Sequence, residues 1–408
     1  MTPYRPREIS ARLREALRTM PVVILTGMRQ AGKTTLLRRD AALHTRRYHS
    51  LDDFATLEAA QQSPERLLEG GEPVTIDEAQ RVPELLRAIK LDVDHRRRPG
   101  RYLLSGSANF HLLKRVTESL AGRAVYLTLH PMHRRELTDG IDSAPFLREL
   151  FEKGTPPRRT RGVPLDLAEI LRGGMPSVVL GEAEDASVWF RGFEQTYLER
   201  DLRDLAQVAD LVPFRRLLRL AALRTGQVLN QSELARDAGL PVKTASRYLA
   251  LLEVSFLVSR LLAHWSSRTT RLIKAPKIFV DDAGLAAHLT GVTSLAPAAD
   301  EPLAGPLLET YVYQNLAALC EAAWPGAEIG YWHVQGRYEV DFVIRVGCDT
   351  LALEVKRGSR WDERDLKGLR AFLAAERRCR GGVLAYMGDT LVPLGERLWA
   401  VPVGTVLS

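Results

Sequence analysis

The stretch Gly27-Met28-Arg29-Gln30-Ala31-Gly32-Lys33-Thr34 constrains the fold of this chain more than any other. It follows the apolar run Val22-Val23-Ile24-Leu25, which predicts a buried strand, and opens onto Thr35-Leu36-Leu37-Arg38-Arg39, which predicts a helix start. Glycines let the backbone curl until its N–H groups face inward, and the positive helix end adds its field. Strand, loop and helix in this order predict a phosphate-binding turn spanning Gly27 to Thr35. Lys33 would reach the β- and γ-phosphates of ATP, and the Thr34 hydroxyl would sit on Mg2+.

The segments that follow alternate between strand and helix patterns. Helices are expected at Glu8–Thr19, from Ser63-Pro64 to near Gly70-Gly71, at Pro83–Asp94 and at Leu112–Leu120. Further strands are expected at Arg47–Leu51, from Pro73 into Asp77-Glu78, from Tyr102 to Ser107 and at Ala124–Leu127. Such alternation implies a parallel sheet covered on both faces, with ligands at the carboxyl ends of its strands. Gly32, Asp77 and Ser105 all fall at such ends. Asp77 would hold Mg2+ beside Thr34, and Glu78 would orient or deprotonate the attacking water. Ser105 and Ser107 are candidates to contact the γ-phosphate or the water. Arg123 would reach the nucleotide of a neighbouring subunit in a homo-oligomer and stabilise transition-state charge.

From about Arg134 the strand alternation stops. Thr155–Pro164 reads as an exposed basic loop and residues 165–228 as mostly helical. Between Asn230 and Leu262 two short helices broken at Gly239, then a strand over Phe256–Leu262, have helix-turn-helix spacing with a wing. There Lys243, Thr244, Arg247 and Tyr248 would face a DNA groove. Pro297–Pro306 reads as a linker. Beyond it come a helix over Leu307–Cys320 bearing Glu309, and strands over Ile329–His333, Glu339–Val346 and Thr350–Lys356. A helix over Asp362–Arg377 and a strand over Gly382–Tyr386 close the pattern. Glu354 and Lys356, two apart on a strand, point to one face. With Asp341 on the partner strand they could bind a divalent metal and activate water for phosphodiester cleavage, and Glu309 would add a third carboxylate.

At 408 residues the chain has room for two or three domains, read here as 1–140, 141–295 and 296–408. Its 45% hydrophobic and 26% charged content is that of an ordinary globular protein. No apolar run reaches the length of a membrane span, and the N-terminus lacks a signal-peptide core. Cys320, Cys348 and Cys379 have no metal-like spacing, and so few cysteines suit a reducing cytoplasm. A net charge of +7 suits an acidic partner such as DNA.

Gly27–Thr34, Leu51-Asp52-Asp53, Ile76–Gln80, Leu104–Ser107 and Ser119–Arg123 together resemble a large prokaryotic family of AAA+ superfamily ATPases. Its members join an ATPase domain to a C-terminal domain of unknown function. Gly173-Gly174-Met175-Pro176, Arg200-Asp201-Leu202, Gly226–Asn230, Tyr248-Leu249 with Leu252-Glu253, and Lys277–Asp281 carry the resemblance onward. It implies nucleotide and Mg2+ roles for Lys33, Thr34, Asp77 and Glu78, a sensor at Ser107 or Ser105, and an arginine finger at Arg123. Arg172 is the candidate second sensor. The end of the chain is similar to the PD-(D/E)XK nuclease superfamily, with Asp341, Glu354 and Lys356 on its motif and Glu309 as its helical acid. Glu339-Val340 stands where the motif has proline next to Asp341. The expected whole is an α/β chain: a P-loop parallel-sheet ATPase domain, a helical and winged-helix middle and an α/β nuclease-like end. The expected function is Mg2+-dependent ATP hydrolysis controlling that region on DNA. The alternative is a slow ATPase switch that binds DNA or a protein, with an inert nuclease-like domain.

Overall fold

Alternating strands and helices build the first of two units, Met1–Pro131 with Val254–Leu257. The computed structural model describes residues 4–106, 120–157, 163–196, 211–264, 274–296, 300–334 and 337–408. Ser107, most of the expected 112–120 helix, Ser119 and Arg200-Asp201-Leu202 lie outside these residues.

Five strands form a parallel sheet in the order β2-β3-β4-β1-β5. They are β1 (Val22–Thr26), β2 (Arg47–Ser50), β3 (Val74–Asp77), β4 (Tyr102–Ser105) and β5 (Ala124–Thr128). The three central strands are buried at every position, because helices cover both faces, whereas the edge strands β2 and β5 are mostly half-buried. The helices are α1 (Ile9–Thr19), α2 (Lys33–Arg39), α3 (Phe54–Gln62), α4 (Pro64–Leu68) and α5 (Pro83–His95). In α5, proline at the first turn fixes the entry, and Leu85, Leu86, Ala88, Ile89 and Val93 form the buried stripe. Each fully buried leucine or isoleucine contributes about 1.5–3 kcal/mol. Helix α3 carries no clear sequence signal. It starts at Asp53, whose side chain accepts from Thr56 N, and has only one buried residue, Ala60, so its apolar period is weak.

The second unit is Met132–Glu253 with Val258–Ser408. Helices α6 (Arg134–Leu137), α7 (Phe146–Lys153), α8 (Leu167–Arg172), α9 (Pro176–Val179), α10 (Ala186–Thr196) and α11 (Leu211–Leu223) come first. The fully buried Arg134 guanidinium ties distant segments together. It donates to Glu169 Oε2 and to the carbonyls of Val163, Pro164 and Gly404 at 2.7–3.1 Å. Asn230 then caps α12 (Gln231–Ala238) by accepting from Glu233 N, and Gly239, at φ 70°, ends it. Next come α13 (Val242–Val254), the antiparallel pair β6 (Val258–Leu261) and β7 (Lys277–Val280), and α14 (Ala283–Thr290). The expected strand over 256–262 is shorter because Phe256 has φ 59°, which a strand does not accommodate.

Helix α15 (Ala304–Ala323) leads into a six-stranded sheet ordered β12-β13-β11-β10-β9-β8. Its strands are β8 (Ala327–Val334), β9 (Tyr338–Val346), β10 (Asp349–Lys356), β11 (Cys379–Tyr386), β12 (Val392–Gly395) and β13 (Leu398–Pro402). The β9–β10 hairpin pairs Val346 with Asp349 and Phe342 with Leu353, whereas β10, β11 and β13 run parallel. Helix α16 (Lys367–Ala375) packs Leu369 and Phe372 into a cluster with Val340, Val343, Ala352 and Leu384. It starts five residues later than expected, since Asp362 opens a turn in which its N–H donates to Asp365 Oδ2. Tyr313 of α15 stacks on Phe279 of β7 at 4.5 Å. Val403–Val406 forms the last helix, α17.

Candidate functional site

In the first unit the loop after β1 bends at positions where side chains do not fit. Gly27 has φ 141°, and a Cβ there would stand 2.2 Å from Leu129 O. Gly32, at φ 96°, precedes α2 directly. Lys33 is buried, and its Nζ donates to Gly27 O and Met28 O at 2.9 Å each. Arg7 brackets the loop from behind, donating to Ala31 O and His130 O at 2.7 Å. That brace spans 24 and 123 residues in the chain, and no local pattern marks it.

Asp77, at the end of β3, is the hub. Its Oδ2 accepts from Thr34 Oγ1 at 2.6 Å and from Tyr48 OH at 2.9 Å. Its Oδ1 accepts from Ser105 Oγ and, at 3.2 Å, from Glu78 N. Strand order explains the convergence: β4 lies between β1 and β3, so the ends of all three meet. A carboxylate and a hydroxyl in direct contact form the hard-oxygen pair that suits Mg2+. Ser105 is fully buried and spends its hydroxyl on Asp77. No sequence pattern marks Tyr48 for this role, because on β2 it looks like an ordinary strand aromatic. Burial and the Asp77 charge push its hydroxyl pKa upward, so it stays a donor. Tyr48→Phe is expected to raise the Mg2+ concentration for half-maximal ATP turnover about ten- to hundredfold, the worth of one hydrogen bond to a charged group. Titrating Mg2+ in a phosphate-release assay checks this.

Glu78 adopts φ 58°, an uncommon conformation for a residue with a side chain, and accepts from Gln80 Nε2. Loss of solvent raises its carboxyl pKa, against the lowering effects of the Gln80 bond and the Lys33 charge. Arg123 lies at the amino end of β5, beside the start of β1. The phosphate loop is at the other end of β1, roughly 15 Å away at strand spacing. Arg123 is also paired with Asp94 at 2.5 Å.

The second unit holds a second charged cluster. Lys277 Nζ lies 2.6 Å from Glu339 Oε1, 3.4 Å from Asp341 Oδ1 and 3.9 Å from Glu309 Oε2. Lys356 Nζ pairs with Glu354 Oε1 at 3.2 Å, and Asp341 Oδ2 accepts from Val355 N. Burial raises the Glu309 carboxyl pKa to about 8 and that of Glu354 well above its usual range. Glu309, Asp341 and Glu354 were expected to share a divalent ion. Among the described residues, no group of three or more His, Cys, Asp or Glu side chains is placed to hold a metal. As placed these acids do not fit a metal: Glu309 and Asp341 face Lys277, a residue no sequence pattern assigns to this cluster, and Glu354 is paired with Lys356.

On the helix pair, Lys243 and Arg247 are exposed and Thr244 half-exposed. Tyr248 corrects an expectation: it is buried, tilted against Phe214 at 5.0 Å. Arg172, exposed at the end of α8, belongs to the second unit. No helix among the described residues is long and apolar enough to cross a membrane.

A glycine loop capping a helix, an acid at the end of β3 and a parallel sheet define an AAA-type P-loop ATPase domain. A family model described as an AAA domain matches residues 19–138. Two domains of unknown function, DUF8612 and DUF4143, match residues 167–296 and 304–406. The uncharacterized protein Rv2008c of Mycobacterium tuberculosis is 32% identical over 98% of this chain and 84% of its own length. Mb2031c of Mycobacterium bovis matches to the same extent. The chain belongs to the family of these two mycobacterial proteins. Among solved structures, the Walker-type ATPase PABY2304 of Pyrococcus abyssi is 17% identical over 69% of this chain and 94% of that one, at a TM-score of 0.45.

Proposed function

We propose that this protein is a cytosolic Mg2+-dependent ATP hydrolase whose ATPase domain controls a winged-helix and nuclease-like region acting on DNA. The convergence of Thr34, Ser105 and Glu78 on Asp77 carries the hydrolase half. Backbone N–H groups of Gly27–Thr35 would cradle the phosphates, and Lys33 would place its charge on the β- and γ-oxygens. Thr34 and Asp77 would hold Mg2+, which when bound neutralises phosphate charge. Glu78 would orient the water and take its proton. Turnover then needs ionised Glu78, so activity should fall as pH drops through a pKa above the ordinary 4.5. A pH–rate profile of kcat checks this; an acid limb at an ordinary glutamate value refutes it.

The exposed Lys243 and Arg247 at the start of α13 support the DNA half. Asp341, Glu354 and Lys356 on the β9–β10 hairpin support the nuclease-like assignment. Binding to a short duplex at two salt concentrations tests it, since phosphate contacts make affinity fall with salt. Cleavage of plasmid in Mg2+ or Mn2+, against Lys356→Ala, separates an active from an inert domain. Lys277 among the acids favours the second reading, an ATP-driven binding switch whose nuclease-like domain is silent as placed.

A further inference from the structure

We propose that Lys277 is a tethered cation that occupies the acidic site of the second unit and excludes divalent metal from it. The proposal deepens the nuclease-like reading and rests on it only for what the opened site would do.

Lys277 is 2% exposed, deep burial for a lysine. Three carboxylates surround its ammonium, from α15 (Glu309) and β9 (Glu339, Asp341), and the Tyr331 ring centroid lies 5.7 Å away. An ammonium ringed by carboxylate oxygens occupies the ground a metal ion would need. The site is nonetheless not saturated. Glu354 is buried, and its Oε2 has no hydrogen-bond partner. That oxygen is an acceptor held out of water with nothing to accept; Glu354 pairs with Lys356 through its other oxygen and feels the charges of Asp341 and Lys277.

The tether has a route of movement. Lys277 opens β7, and β7 is bonded to the segment just before α12. Leu229 N donates to Pro276 O, Ile278 N to Gln227 O and Gly226 N to Ile278 O, at 2.7–2.9 Å. Asn230, next in the chain, caps α12. A displacement of the helix pair would therefore pull on the strand that carries Lys277.

The test is Mn2+ binding by calorimetry without nucleotide, in the full chain carrying Asp77→Asn so that the ATPase site does not contribute. Lys277→Met should bind Mn2+ about tenfold or more tighter than its parent, because one positive charge leaves the carboxylates. Adding Glu354→Gln should abolish the gain. Glu339→Gln is the sharper variant, since Glu339 is 46% exposed and serves here only as the nearest anchor of Lys277. Removing an acid ordinarily weakens cation binding; freeing the tether strengthens it. Tighter Mn2+ binding by Glu339→Gln supports the proposal even where Lys277→Met does not fold. Unchanged or weaker binding by a folded Lys277→Met overturns it; where Lys277→Met does not fold, unchanged or weaker binding by Glu339→Gln overturns it. Plasmid cleavage is read in parallel. Tighter metal binding without cleavage keeps the tether and refutes the nuclease reading instead.

Discussion

Lys33→Ala abolishes ATP turnover and leaves the protein folded. The Lys33 ammonium sits between Gly27 O and Met28 O, at the mouth of the loop that would hold the phosphates. Alanine removes the one side-chain cation of Gly27–Thr34 that directly precedes Thr34, where charge develops as the γ-phosphoryl leaves. Deleting a single preorganised electrostatic group costs about 10²–10³ in kcat, or about 3–4 kcal/mol of barrier. The loop glycines and the Arg7 brace on Ala31 are untouched, so the fold has no reason to fail. Phosphate release, with circular dichroism melting alongside, checks both parts. Turnover within a few-fold of the parent would remove the ATPase assignment.

Gly174→Val collapses the second unit. A Cβ at Gly174 would stand 2.2 Å from Met132 O and 2.4 Å from Gln314 Nε2. The first of these is backbone and is held in place, since Met132 N donates to Gly174 O at 2.7 Å. Gly174 N in turn donates to Asp282 Oδ2, the buried acid that caps α14 through Leu285 N. Forcing these segments apart breaks both bonds made by Gly174, at a cost of about 3 kcal/mol. Gly192→Ala is the control. It lies within α10, and a Cβ there meets nothing within 4 Å, so alanine should stabilise by about 1 kcal/mol at most. Melting temperatures should therefore move in opposite directions for the two variants.

The Gly173-Gly174 pair meets Asp282 and Gly284, which directly follow the Lys277–Asp281 segment, in one structural joint. Gly173 and Gly174 exist so that the backbone can press against Asp282 and Met132. Neither partner is visible from the glycines themselves, because both lie far along the chain.

Local order was readable for a local reason. Gly27–Thr34 announces its turn through glycine conformation, and β1 and β4 announce themselves as apolar runs, Val22–Leu25 and Tyr102–Leu104, because both their faces are covered. The Glu354 and Lys356 pair follows from the two-residue period of a strand. Helix α3, with one buried residue, lacked such a period and went unread.

Partnership across the chain was decided only by packing. Tyr48 meets Asp77 because β2 lies beside β3, and Arg7 meets Ala31 because the start of the chain passes under the loop. Lys277 stands 64 residues before Asp341 on an unremarkable strand. A lysine at that position reads as surface in any one-dimensional pattern, since lysines are rarely buried unless paired. Only the folded chain brings three acids around it, and it is that pairing, invisible to periodicity, that turns a metal-like motif into a site already holding a cation.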